Sequence, residues 1–103
     1  MTPRAIPLLL AGLVLVVAAG CEPTLQTETG IVVSVDSPSI GVVDGFELRT
    51  RDGRSLVFDT SALDFRPEFP AAHLPEHQRL AAAVTVTYQT DGERLVVVRL
   101  DDA

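Results

Sequence analysis

Positive charge is scarce in this sequence. It contains no Lys, and its 8 basic residues, all Arg, are set against 14 acids, which gives a formal net charge of −6. Binding to nucleic acid requires clustered Lys and Arg opposite the phosphates, so this composition excludes nucleic acid as a partner. The single Cys excludes an intramolecular disulfide. The 103 residues suffice for one domain with one small core.

The common catalytic motifs are also missing. The sequence contains no phosphate-binding P-loop, no dinucleotide-binding glycine motif and no Gly-x-Ser-x-Gly nucleophile turn. We therefore expect a protein that is not an enzyme and that carries no cofactor, apart from a divalent transition metal discussed below.

The longest apolar run lies near the N-terminus. Ile6–Ala19 follows the positive Arg4 and is shorter than the about 20 apolar residues that a membrane-spanning helix needs. It therefore predicts a signal peptide over residues 1–20. Ala18-Ala19-Gly20 leads directly into Cys21, which resembles the lipobox of bacterial lipoproteins, although Ala stands at position 18 where Leu is usual.

The lipobox resemblance implies that Cys21 is acylated, typically with palmitate, and becomes the first residue of the mature chain. More than one acyl chain gives a stable anchor, so the protein is expected on the extracytoplasmic side of a cell membrane. Ordinary signal peptidase could cut the same bond and leave Cys21 as a free thiol. Glu22 does not match the Asp that commonly marks inner-membrane retention. Inner membrane, outer membrane and a single-membrane cell all stay open.

Residues 21–29 are polar and show no sustained periodicity, which predicts a lipidated tether before a domain at 30–103. Within that domain, apolar residues alternate with polar ones at the period of half-buried strands. Asp52-Gly53 lies between two such segments and predicts a hairpin. A helical composition over 71–83 contains Pro75, which fits best at the first helical position. The predicted strands cover 30–36, 46–51, 55–59, 84–89 and 95–100.

The element order is three strands, a helix and two strands, which is the order of an OB-fold. The sequence thus predicts a mainly β fold, a small five-stranded OB-like barrel with one short helix between strands 3 and 4. An SH3-like barrel or a small sandwich is the alternative. The domain also looks similar to a group of small uncharacterised exported bacterial proteins, a resemblance that implies no catalytic residue. It is carried by Gly45-Phe46-Glu-Leu48-Arg49-Thr50, Asp52-Gly53-Arg54, His73-Leu74-x-Glu76-His77 and Val84-x-Val86-x-Tyr88.

His73 and His77 are the two histidines of the chain and lie four residues apart. On a continuous helix this spacing places both rings on one face, where they could share a metal ion. Glu76 is the nearest third ligand, with Glu68 or Asp64 as alternatives. The competing interpretation is that one histidine packs under the barrel and the other is solvated.

Arg49, Arg51 and Arg54 lie on or beside the predicted hairpin between strands 2 and 3. In OB-folds this face commonly binds oligonucleotides or sugars. Here acids interleave with the arginines, so the face is either a partner surface for an anionic group or a solvated surface with ion pairs.

Together these features predict a membrane-anchored lipoprotein that acts as a non-enzymatic binding or assembly module at the cell envelope. Its partner would be an envelope protein or another envelope component, bound through the 37–45 loop and the strand 2–strand 3 face. The alternative is a metal-binding lipoprotein that uses His73 and His77. A third hypothesis is an inert domain without a specific ligand.

Overall fold

The computed structural model describes residues 24–103, which form five strands and one helix. The third strand has the bounds that alternation and the Asp52-Gly53 turn predict, with Gly53 at φ +88° in the turn. The elements are β1 (Gln26–Asp36), β2 (Gly45–Thr50), β3 (Ser55–Asp59), α1 (His73–Leu80), β4 (Ala83–Asp91) and β5 (Arg94–Asp102).

The strands close into a barrel in the order β1-β2-β3-β5-β4. Every neighbouring pair is antiparallel except β3 and β5, which run parallel where Phe58 faces Leu95 and Asp59 faces Val96. The helix follows β3 and precedes β4. This is the architecture of an OB-like barrel, so the predicted fold class is confirmed.

The first strand is longer than the sequence predicts. It begins at Gln26, four residues before the expected start, so part of the predicted tether belongs to the barrel. Its first half pairs with β4 and its second half with β2, and Gly30 faces both Thr50 and Val84. A Cβ at Gly30 would overlap the carbonyl oxygen of Arg49, so only glycine lets β1 bend here from one neighbour to the other.

The barrel core consists of the inward residues of the alternating strands. Three aromatic rings fill its centre. Phe58 lies 5.4 Å from Phe46 and 4.9 Å from Tyr88 between ring centroids, the second pair edge to face. The core residues are Val32, Val43, Phe46, Leu48, Phe58, Phe69, Leu74, Val84, Val86, Tyr88, Val97 and Leu100.

The helix α1 closes one end of the barrel. Its Leu74 is fully buried, and the Gln78 side chain donates a hydrogen bond to the Val33 carbonyl oxygen of β1 at 3.1 Å. The sequence placed Pro75 at the first helical position, but the helix begins at His73 and Pro75 is its third residue. This is tolerated because the first N–H groups of a helix have no intrahelical acceptor. The helix ends at Leu80, and the next residue, Ala81, adopts a left-handed conformation that caps it.

Candidate functional site

An open groove of about 430 Å³ lies where the β1–β2 loop, the outer face of β2 and β3, and the β4–β5 turn meet. We call it the acidic groove, because carboxylates dominate its polar groups and Arg94 is its one cation. Its lining consists of Ser34, Asp36, Asp44, Gly45, Phe46, Glu47, Val57, Phe58, Asp59, Glu93, Arg94 and Leu95.

Four carboxylates of the groove have no cationic partner among the described residues. Within residues 24–103, no ion pair involves Asp36, Asp44, Glu47 or Glu93. Three of them are exposed and Glu47 is half-buried. The groove therefore holds excess negative charge that the described part of the chain does not neutralise.

The fifth carboxylate, Asp59, is held differently. It accepts hydrogen bonds from the backbone N–H and the hydroxyl of Ser61 at 2.8 and 2.6 Å, and Arg94 Nη2 lies 2.6 Å from its Oδ2. These bonds, with the Ser61 hydroxyl first, lower the pKa of Asp59 from 3.8 to about 2. In return, the Asp59 carboxylate raises the pKa of Arg94. Arg94, the one cation among the described residues that line the groove, is thus paired with one of the groove's own acids.

The apolar part of the groove is centred on Val57. This side chain is 70% exposed on the outward face of β3, directly opposite Glu47 of β2. Leu95 of β5, half-buried, adds a second apolar group from the other side. A ligand that enters the groove therefore meets an apolar patch between carboxylates.

Backbone contacts fix the rim of the groove. Asp44 donates its N–H to the carbonyl oxygen of Asp36 at 2.9 Å. Thr60 donates its N–H to the carbonyl oxygen of Asp44 and its hydroxyl to the carbonyl oxygen of Val43, each at 2.9 Å. A Cβ at Gly45 would lie 2.6 Å from the Phe58 carbonyl oxygen, so glycine allows β2 to start this close to β3. These bonds hold both ends of the 37–45 loop against the barrel.

The tip of that loop carries apolar side chains into solvent. Ile40 is fully exposed and Val42 is partly exposed. The Ser37 hydroxyl donates to the carbonyl oxygen of Ser39 at 2.9 Å or of Val42 at 2.7 Å, which keeps the tip folded on itself. The loop thus presents an apolar surface from a braced base.

The three arginines do not form one cationic surface. Arg54 pairs with Glu28 at 2.8 Å and with Asp52 at 2.9 Å, and these acids raise its pKa. Arg49 lies on the strand face opposite Ser55, and Arg51 lies in the turn, and neither makes an ion pair within residues 24–103. Arg51 and Arg54 share an open cavity of about 340 Å³ that also contains two acids.

The two histidines share one face of α1, with 6.1 Å between ring centroids. His77 is 9% exposed, and both its ring nitrogens face acceptors: Nδ1 lies 3.0 Å from the Ala82 carbonyl oxygen and Nε2 lies 2.8 Å from Asp102 Oδ1. Its ring also stacks on Phe69 at 5.4 Å. The nitrogens that would bind a metal therefore already join the helix to its neighbours.

His73 contacts Glu76, with 3.7 Å between Nδ1 and Oε1. Glu68, predicted as another third ligand, lies 3.5 Å from Arg66 instead. In the part of the chain that the structure describes, no three His, Cys, Asp or Glu side chains come together as a metal site would require. The predicted metal residues thus share a helix face but not a ligand cage.

The sequence named the 37–45 loop and the strand 2–strand 3 face as a binding surface, but it did not predict the acidic groove there, because the acids are scattered along the chain and follow no motif. Asp36 and Asp44 flank one loop, Glu47 follows in β2, and Glu93 belongs to a turn far along the chain. The signal that could have found them is topological. In an OB-like barrel, the loop after the first strand and the turn before the fifth lie at the same binding face.

Cys21 and the predicted signal peptide lie outside the described residues. Among residues 24–103, no helix combines the length and apolar character needed to cross a membrane. Comparisons with protein families, with curated proteins and with solved structures each found no match.

Proposed function

We propose that this chain is a lipoprotein, anchored through Cys21, whose barrel is a non-enzymatic binding or assembly module for a protein of the cell envelope. The acidic groove carries the proposal. It combines a concave shape, an exposed Val57 and carboxylates that no cation of residues 24–103 pairs with, on the face that OB-like barrels use for ligands.

The groups in the groove favour binding over catalysis. General acid–base chemistry uses a group whose pKa lies near the working pH. The pKa of Asp59 is instead lowered to about 2 by Ser61 and Arg94, so this carboxylate is ionised at neutral pH. The arrangement suits recognition by charge and shape.

The position of Cys21 supports a partner close to the membrane. β1 starts at Gln26. The chain between the two residues spans at most about 18 Å when fully extended. A lipid on Cys21 would therefore keep the barrel next to the bilayer, within reach of envelope proteins.

Site-specific photo-cross-linking in the native cell tests the proposal. A photoreactive residue replaces Val57 in the groove, and the control replaces Val98, which is 43% exposed on β5 outside it. We expect a protein adduct at position 57 and none at position 98. Equal adducts at both positions, or none at either, would contradict a specific groove interaction.

The same cells test the anchor. We expect the full-length chain to fractionate with membranes and to incorporate labelled palmitate. The Cys21→Ser variant should lose both properties. A wild-type chain that stays in the soluble fraction without label would refute the lipoprotein assignment.

A further inference from the structure

We propose that the acidic groove binds an extended, basic segment of a protein partner, in which Arg or Lys alternates with apolar residues. This inference rests on the proposed function and adds the chemistry of the partner. It follows from the charge, the shape and the apolar centre of the groove, taken in turn.

Charge comes first. Asp36, Asp44, Glu47 and Glu93 line one groove without a cationic partner among residues 24–103, while Arg94 is bound to Asp59. Carboxylates around a concave surface reinforce each other's potential and repel each other when nothing neutralises them. A cationic ligand relieves that repulsion, and an anionic one adds to it. Charge complementarity therefore selects a basic partner.

The exposed apolar surface of the groove further restricts the class of cationic ligand that fits. Val57 is 70% exposed and faces Glu47 across the β2–β3 pair, so an apolar group and an acid stand side by side on the groove wall. A segment with alternating side chains can place an apolar residue on Val57 while its neighbours reach the carboxylates. A polycation without apolar residues would leave Val57 in water.

The size of the groove distinguishes a peptide from an ion. A calcium site gathers six to eight oxygens at about 2.3–2.6 Å. No three acidic or histidine side chains of the described chain meet that closely, and the groove volume is about 430 Å³. The space fits a few side chains of a peptide.

Fluorescence anisotropy with synthetic peptides tests the inference. The protein is the chain from residue 24 to 103, because all strands, the helix and the core lie within Gln26–Asp102. The probe is a fluorescein-labelled peptide of alternating Arg and Val. A Glu/Val peptide reverses the charge, and an Arg/Gly peptide removes the apolar residues. We expect the Arg/Val peptide to bind at least tenfold more tightly than either control.

Matched variants locate the binding. Glu47→Gln with Glu93→Gln removes two groove charges at constant shape, and Asp64→Asn with Glu68→Gln removes two exposed charges outside the groove. We expect the first pair to weaken Arg/Val peptide binding about tenfold and the second less than twofold, because charges beyond about 8 Å are screened at physiological salt. Val57→Ser should weaken the Arg/Val peptide and leave the Arg/Gly peptide unchanged.

Several results would overturn the inference. One is binding of the Glu/Val peptide as tight as that of the Arg/Val peptide. Another is an equal loss of affinity for the Arg/Val peptide in both double variants. The third is a wild-type affinity for that peptide that does not change with salt. Saturable calcium binding lost only in the groove variant would replace the peptide by a divalent cation. A dimer lost only in that variant would replace it by a second copy.

The two proposals fail separately. If a cross-link at position 57 persists unchanged in the Glu47→Gln/Glu93→Gln variant, the binding module stands and the basic segment is wrong. If no cross-link forms in the wild type, the proposed function itself is wrong.

Discussion

At the residue scale, His77 joins three parts of the fold to the helix. Its ring connects α1 to the Ala82 carbonyl after the helix, to Asp102 at the end of β5 and to Phe69 of the preceding loop. Its spacing from His73 predicted a metal ligand, because that spacing places both rings on one helix face. The spacing does not show which hydrogen-bond acceptors surround the His77 ring. Those acceptors come from residues that are distant in the sequence or beyond the helix end.

We expect His77→Ala to lower the free energy of unfolding by about 2–4 kcal/mol, since it removes from a buried site a ring that contacts the Ala82 carbonyl and Asp102 and stacks on Phe69. His73→Ala, at a half-buried position with a 3.7 Å contact to Glu76 and an edge-to-face contact with Phe69, should cost less, about 1 kcal/mol. Urea denaturation of both variants measures the difference. Equal losses would show that His77 does not brace the helix.

The same variants decide the metal alternative. Calorimetric titration with zinc should give no binding that depends on the two histidines. A one-to-one site that is lost in both variants would instead favour the metal-binding function.

We expect the stability of the domain in acid to depend on Asp59. Ser61 and Arg94 lower the pKa of Asp59 in the folded chain to about 2. The unfolded chain therefore binds a proton at this residue at a higher pH than the folded chain does, and the free energy of unfolding decreases as the pH falls. The stabilisation is complete above about pH 4 and is lost as the pH approaches 2. Asp59→Asn should therefore show a smaller drop in urea midpoint between pH 5 and pH 2.5 than the wild type. Identical pH profiles would contradict this role, and Asp64→Asn serves as the exposed control.

At the scale of elements, the sequence predicts those strands whose inward residues are apolar and whose ends are turns. It did not predict the start of β1, because Gln26 and Thr29 make polar contacts: the Tyr88 hydroxyl donates to Gln26 Oε1 at 3.0 Å, and the hydroxyls of Thr29 and Thr85 lie 3.0 Å apart. Such pairs leave no apolar alternation for a sequence pattern to show. The bend at Gly30 is likewise visible only when β2 and β4 are both in place.

The bend of β1 at Gly30 should make the stability of the domain sensitive to substitution at this residue. Gly30→Ala should destabilise the domain by about 1–3 kcal/mol, because the added Cβ overlaps the backbone of Arg49 and forces β1 away from β2. Gly41→Ala introduces strain at φ +79° but meets no atom within 4 Å, so its cost should stay near 1 kcal/mol. Thermal and urea unfolding compare the two. A smaller loss at Gly30 than at Gly41 would contradict the steric argument.

At the scale of the whole molecule, the order of elements suffices to predict the barrel, and the barrel then determines which residues meet. The arginines of the β2–β3 hairpin are close in sequence and predicted a candidate partner surface, but Arg54 is paired with Glu28 and Asp52. The acidic groove assembles from three separate regions and shows itself only in the folded chain. The negative charge of the chain is thus not spread evenly over the described surface, because four acids without a cationic partner among residues 24–103 line the acidic groove.

We propose that this barrel uses the acidic groove to bind a protein at the envelope. In-cell photo-cross-linking from position 57, compared with position 98, tests it most directly. We predict one adduct of defined mass at position 57, reduced when Glu47 and Glu93 are replaced by Gln, and no adduct at position 98. Absence of any adduct at position 57 in membranes that contain the anchored protein would contradict the claim.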